Sequence, residues 1–341
     1  MRIGLLTGGG DCPGLNAVIR AVVRKAYNGH HETLGFKNGW KELIENDYTP
    51  LDLTSISGIL PKGGTILGTS RTNPYKSAED VKKVIENYKK NNLDALITVG
   101  GEDTLGVAHK FSKDGLNVVG VPKTIDNDLS ATDYTFGFDT AVNIAMECID
   151  RLHTTAESHH RIIVVEVMGR HAGWIATFAG ISGGADVILI PEIPIDLDKT
   201  CVLLKKRHER GRTFSIVVVA EGAKFKTTSD ITQDQSLDEF GHVKLGGIAD
   251  YLAKEIEKIT GYETRVSVLG HIQRGGSPTA FDRILGTRFG VKAVELVENK
   301  QFGQMVSLSG TKIIGVPLER GVEKLKTIDM ELFEIAKVFF G

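Results

Sequence analysis

The chain has 341 residues, 41% of them hydrophobic and 25% charged, which is enough for two α/β cores or one large one in a globular enzyme. Its 41 Lys and Arg against 43 Asp and Glu leave a net charge of −2. That balance excludes the basic surplus that nucleic acid or an anionic membrane would recruit, so an acidic ligand must be met by local clusters of Arg and Lys.

Residues 3–7 read as a first strand running directly into Gly8-Gly9-Gly10-Asp11, and so not as a signal peptide. A helix follows that turn. Residues 77–90 form an amphipathic helix, with Ser77 as N-cap and Glu79 and Asp80 in the first turn. The apolar run 95–99 ends in Gly100-Gly101-Glu102-Asp103, and the run 118–121 ends in Pro122-Lys123-Thr124-Ile125-Asp126-Asn127-Asp128. Helical patterns at 141–156 and 248–259 accompany strand candidates at 162–167, 187–190, 214–220 and 265–269. These strands are continuous runs of Val and Ile, as in sheets buried on both faces. Strands alternating with helices predict α/β domains with doubly wound, mostly parallel sheets.

The polar stretch 227–241 reads as a solvated loop or hairpin. No apolar run is long enough to span a bilayer. Cys12, Cys148 and Cys201 are scattered, with no C-x-x-C pair, which supports neither a disulfide framework nor a structural zinc site. The expected compartment is the cytoplasm. The 39 glycines against 9 prolines indicate many tight turns and close backbone approaches.

Ligands of open α/β sheets bind outside the carboxyl ends of the strands, so the glycine turns are expected to share one cleft. Backbone N–H groups at Gly9 and Gly10, with a helix dipole behind them, suit a phosphate. The turn is neither a Walker A loop nor the dinucleotide G-x-G-x-x-G. Glu102 and Asp103 put two carboxylates at a strand end, a pattern that suits Mg²⁺ held together with phosphate oxygens, or the capping of the next helix. In an extended chain Thr124, Asp126 and Asp128 point to one side. One carboxylate then accepts a hydroxyl proton while the other orients the acceptor or binds metal. Arg71, Arg161, Arg170, Arg265 and Arg274 fall at strand ends and turns, where a bidentate guanidinium receives a phosphate ester. His271 in Gly270-His271-Ile272-Gln273-Arg274 can bond a sugar phosphate in such company.

In this order the blocks at 7–16, 68–71, 100–104, 123–128, 166–173, 221–222 and 270–278 resemble the phosphofructokinase family over nearly the whole chain. The resemblance implies two α/β domains with the active site in the cleft between them. Residues 1–137 and about 273–323 would bind the phosphoryl donor, and 138–272 and about 324–341 would bind fructose 6-phosphate. It implies Asp126 as base for the sugar 1-hydroxyl, with Thr124 and Asp128 in support and Arg71 and Arg170 on the transferred phosphoryl group. Met168, Gly169, Glu221, His271 and Arg274 would hold the sugar phosphate. Arg161 and Arg265 match arginines that reach the 6-phosphate from a neighbouring subunit, implying a homo-oligomer, dimer or tetramer, with shared active sites. Glu102 takes the Mg²⁺ position, where much of the family has Asp.

Two positions bear on the donor. Family members that use ATP typically carry Gly at the position of Asp103, and commonly at that of Lys123. An aspartate puts bulk and charge where the nucleotide's α-phosphate approaches, and two like charges a few Å apart cost about 1–4 kcal/mol. Lys123 supplies a point charge suited to pyrophosphate. Lys at 123 also occurs in ATP-using relatives, so Asp103 decides. The pair implies the pyrophosphate-dependent branch, transferring reversibly between fructose 6-phosphate and fructose 1,6-bisphosphate in glycolysis or gluconeogenesis; ATP is the alternative donor. Sedoheptulose 7-phosphate presents similar hydroxyl and phosphate ends. Arg20 and Arg24 lie one turn apart, as in the family's effector site. Lys62 and His153 stand where regulated members carry arginines, so strong nucleotide regulation is not expected.

Overall fold

A computed structural model describes residues 1–226 and 246–341; the polar stretch 227–241 lies outside the described residues. From the N-terminus run β1 (Arg2–Thr7), α1 (Leu15–Asn28), β2 (Glu32–Phe36), α2 (Trp40–Glu45), β3 (Tyr48–Leu51) and α3 (Ala78–Lys90). Then come β4 (Ala95–Gly100), α4 (Glu102–Lys113), β5 (Val118–Thr124), β6 (Phe136–Gly137) and the long α5 (Phe138–His159). A second series follows: β7 (Ile162–Val167), α6 (Trp174–Ser182), β8 (Val187–Leu189), α7 (Leu197–Glu209), β9 (Ser215–Ala220), α8 (Ile248–Thr260) and β10 (Thr264–Val268). The chain closes with α9 (Ala280–Glu298), β11 (Gln304–Ser309), β12 (Lys312–Pro317), α10 (Leu318–Val322) and α11 (Met330–Lys337).

Two compact units result. The first contains Met1–Ile125, Leu129–Thr140 and Arg274–Leu325; the second contains Asp126–Asp128, Ala141–Gln273 and Lys326–Gly341. The chain therefore passes into the second unit for three residues directly after β5.

The first unit is built on a sheet in the order β12-β11-β5-β4-β1-β2-β3, with β6 paired to the end of β5. Its interior pairs are parallel, and β3 and β12 add antiparallel edges. Every residue of β4 and β5 is buried, so helices cover both faces of these apolar runs. On one face α1 meets α9 closely. A Cβ at Gly290 would stand 2.7 Å from the Ala21 methyl and from the Val18 carbonyl, so only glycine permits this approach. Helix starts are tied by side chains as their sequence indicates: the Ser77 hydroxyl accepts from the Asp80 N–H at 3.4 Å, and Thr279 accepts from the Asp282 N–H at 3.3 Å.

The second unit has a fully parallel sheet, β10-β7-β9-β8. Val164, Val217 and Val219 on its strands pack with Leu252 and Ile256 of α8. Each such fully buried side chain contributes roughly 1.5–3 kcal/mol relative to exposure. In each unit the parallel strands deliver their carboxyl ends, and the loops that follow, to one edge of the sheet. Among the described residues no helix is long and apolar enough to cross a membrane.

Candidate active site

In the first unit three strand ends lie side by side. β1 pairs with β4 through Thr7 and Val99, and β4 with β5 through Gly100 and Pro122. The loops after these strands are therefore neighbours. The Gly8 N–H donates to the Val99 carbonyl at 2.9 Å and the Gly9 N–H to the Ser70 carbonyl at 3.0 Å. This corrects the expectation that the Gly9 amide faces a phosphate: it is engaged inside the fold, where it ties the first turn to the 68–71 segment that carries exposed Arg71. Gly9 takes φ 78, a left-handed value that glycine accepts without strain.

Cationic charge reaches the turn from side chains instead. Lys123, 4% exposed, donates its ammonium to the Gly10 carbonyl. A Cβ at Gly9 would lie 3.5 Å from Lys123 Nζ, and one at Gly10 only 2.6 Å from Arg274 Nη1. The two glycines are thus the floor on which a lysine and an arginine converge. The geometry brings Arg274, grouped by the resemblance with the sugar-phosphate residues, to the Gly9–Gly10 turn of the first unit.

Glu102 and Asp103 occupy the first turn of α4, behind the N-cap Gly101. Carboxylates there are favoured by the helix dipole. Glu102 is exposed and Asp103 half-buried. A Cβ at Gly101 would touch the Lys123 carbonyl at 3.4 Å, so the Asp103 turn and Lys123 occupy adjacent strand ends of one unit. Thr104, buried, fills the corner; a Cβ at Gly8 would meet its Oγ1 at 2.6 Å. Among the described residues no group of three or more His, Cys, Asp or Glu gathers to hold a metal ion. A single exposed oxygen donor such as Glu102 fits Mg²⁺, which takes one or two protein carboxylates and completes its shell with phosphate oxygens and water.

The 123–128 segment differs from its sequence expectation in one respect. β5 ends at Thr124, the chain bends at Ile125 and Asp126, and Asn127 adopts φ 51. The period of two that would align Thr124, Asp126 and Asp128 on one side holds only in extended chain, so the bend breaks the alignment. Thr124 and Asp126 are buried, Asn127 is fully buried and Asp128 half-buried.

In the second unit, β7 continues into Met168, Gly169 and Arg170, with Met168 and Gly169 buried. Gly169 has φ 143 and Arg170 φ 50, a tight turn that returns the Arg170 N–H to Glu221 Oε1 at 3.1 Å. The Glu221 N–H in turn bonds the Val167 carbonyl at 2.9 Å, so β7 and β9 carry Arg170 and Glu221 out together. Burial, reinforced by the nearby charge of Asp126, pushes the Glu221 carboxyl up to about 7. Asp126, Glu221, Met168, Gly169 and Arg170 thus belong to one unit and one edge, and His271, in the same unit, is exposed in the turn after β10, which runs parallel to β7.

Arg161 and Arg265 stand at the opposite edge. Arg161 precedes β7 and Arg265 lies at the start of β10, and both bond Glu263, Arg161 at 2.9 Å. The hydrogen bond from Arg161 holds the Glu263 carboxyl below its usual range. Six residues of β7 separate Arg161 from Met168, roughly 20 Å of strand. His153 bonds the Gly183 carbonyl at 2.7 Å.

At the carboxyl edge Trp174 and Lys326 carry no sequence signal, and Glu166 entered only as the first residue of the 166–173 block. Glu166, buried on β7, accepts the Ala249 N–H at 3.0 Å at the start of α8. Trp174 and Lys326 meet the Asp126–Asp128 turn: the Trp174 indole N–H bonds the Lys326 carbonyl at 3.0 Å, and Lys326 Nζ bonds Asn127 Oδ1 at 3.0 Å. A lone Trp after a glycine and a Lys in a charged C-terminal stretch read as packing and solvated surface.

Open parallel sheets whose carboxyl edges carry glycine turns, a buried lysine and paired carboxylates define an α/β enzyme that handles phosphorylated small molecules. The family model described as phosphofructokinase matches residues 2–297, and the chain belongs to that family. It is 57% identical over 343 residues, covering both chains fully, to the pyrophosphate–fructose 6-phosphate 1-phosphotransferase of Streptomyces coelicolor. It is 52% identical over 329 residues, 96% of each chain, to ATP-dependent 6-phosphofructokinase 3 of the same organism. Among solved structures, phosphofructokinase from Saccharomyces cerevisiae matches with TM-score 0.83 and 31% identity, over 99% of this chain and 46% of the yeast chain.

Proposed function

We propose that the chain catalyses reversible transfer of a phosphoryl group from pyrophosphate to the 1-hydroxyl of fructose 6-phosphate, forming fructose 1,6-bisphosphate and phosphate. The observation that carries the choice of donor is Asp103 in the first turn of α4, next to the strand end whose buried Lys123 ammonium meets the Gly9–Gly10 turn. The lysine offers compact positive charge to a compact polyanion, while the aspartate repels a nucleotide phosphate entering the same corner. The full-length 57% relative bearing the pyrophosphate name agrees with this reading. The relative at 52% that bears the ATP name makes ATP the second reading.

On this reading the first unit holds the donor through Lys123, Arg71 and the Gly9–Gly10 turn, and the second holds the sugar through Met168, Gly169, Arg170 and Glu221. Arg274, beside Gly10, also holds the sugar phosphate on this reading. The Asp126 carboxylate takes the proton of the 1-hydroxyl as that oxygen attacks phosphorus and the bridging P–O bond breaks, releasing phosphate. Asp128 and Thr124 orient the acceptor, and the guanidinium groups of Arg170 and Arg71 offset charge on the transferred group. Glu102 would hold Mg²⁺, which when bound neutralises phosphate oxygens.

Arg161 and Arg265 stand a strand's length from Met168 in their own chain, so they serve the sugar 6-phosphate of another copy, while His271 holds the sugar phosphate of its own chain. A homo-oligomer with shared sites follows. The test is a coupled assay with each donor: turnover is expected with pyrophosphate, and turnover with ATP alone would replace this reading by the second.

A further inference from the structure

We infer that Lys326 is a positioning residue for the Asp126–Asp128 turn, acting through the side chain of Asn127; this rests on the reading of Asp126 as base. The strand ladder that orders the preceding residues stops at Thr124, so Asp126, Asn127 and Asp128 are held by bonds of another kind. Asn127 is fully buried and sits at φ 51, a left-handed conformation that asparagine tolerates better than most residues. Its Oδ1 accepts from Lys326 Nζ at 3.0 Å. The Lys326 backbone N–H donates to the Asp128 carbonyl at 2.8 Å. The Trp174 indole N–H fixes the Lys326 carbonyl, and the ammonium lies 5.0 Å from the centre of the Trp174 ring.

One lysine thus joins the turn that carries Asp126 to the start of α6 and to the C-terminal segment. Its ammonium also brings positive charge to a turn holding two carboxylates. Phosphoryl transfer is steep in distance, so a small drift of this turn lowers turnover before it lowers sugar affinity.

Lys326→Met keeps the backbone bonds and removes only the ammonium. Turnover is expected to fall about tenfold or more, with the sugar KM within about threefold of wild type. Lys326→Arg is expected to restore most of the loss. Asn127→Gly accepts the same φ but deletes the acceptor, so it should lower turnover too, and the double variant should lose little beyond either single. Hydrogen exchange over residues 123–130 should quicken in both singles, while β7 keeps its protection. Turnover of Lys326→Met within twofold of wild type, multiplicative losses in the double variant, or unchanged exchange in that segment would each overturn the inference. The assays use whichever donor the wild-type enzyme accepts. Wild type inactive with both donors would sink the functional reading, while the exchange measurement still decides the role of Lys326.

Discussion

Glu221→Gln removes the energy that burial, together with the charges of Asp126 and Glu166, imposes on the sugar-side carboxyl. A rise from the ordinary 4.5 to about 7 costs the ionised form about 3 kcal/mol. Below pH 4.5 the group is protonated in folded and unfolded chains alike and costs nothing. Between pH 4.5 and 7 the folded chain retains a proton that the unfolded chain has released, so stability falls as pH rises. Above pH 7 both forms are ionised and the whole penalty stands.

Glutamine keeps an oxygen to accept the Arg170 N–H and never ionises. The variant should therefore match wild type near pH 4.5 and exceed it by about 3 kcal/mol at pH 8. Urea unfolding of both proteins at half-unit steps from pH 4.5 to 8.5 measures the difference. A gap that is the same at pH 5 and pH 8 would refute the reasoning, because a neutral packing effect has no such slope. The same change removes a charged acceptor from the proposed sugar site and should raise the fructose 6-phosphate KM about tenfold or more.

Asp126→Asn should reduce turnover by about 10²–10⁴-fold while calorimetry shows sugar binding retained. Because the Asp126 charge helps to raise Glu221, NMR titration of the Glu221 carboxyl in that variant should move toward 4.5. Asp103→Gly should weaken use of pyrophosphate and begin to admit ATP; an unchanged ratio of kcat/KM for the two donors would remove the steric and charge argument. Gly100→Ala drives a methyl against the Cβ of buried Thr104. A loss of about 1–3 kcal/mol in unfolding free energy is expected, and an unchanged Tm would refute the close packing.

Much of the fold was legible because the buried strands advertise themselves. β4 and β5 are covered on both faces, so their apolar runs are unbroken and their ends coincide with Gly100 and the 122–124 block. Edge strands are harder. β12 has no buried residue and no regular alternation, and β3 includes Pro50, so neither separates from a loop by pattern. The candidate site was legible where residue type announces chemistry: glycine turns, adjacent carboxylates and arginines at strand ends. The alignment of Thr124 with Asp126 and Asp128 failed because no local pattern marks the residue at which a strand stops.

The sequence by itself determined the family, the strand ends on which the chemistry is mounted, and the residue types, Asp103 and Lys123 among them, that bear on the donor. Only the tertiary structure decided which of these act on one another. It turned the Gly9 amide inward, set Lys123 and Arg274 over Gly9 and Gly10, placed Asp126 close enough to raise Glu221, and carried Lys326 back across 199 positions to Asn127. Charge and hydrogen-bond energies depend on separations of a few ångströms, and chain position does not set those separations until the strands have paired and the core has closed.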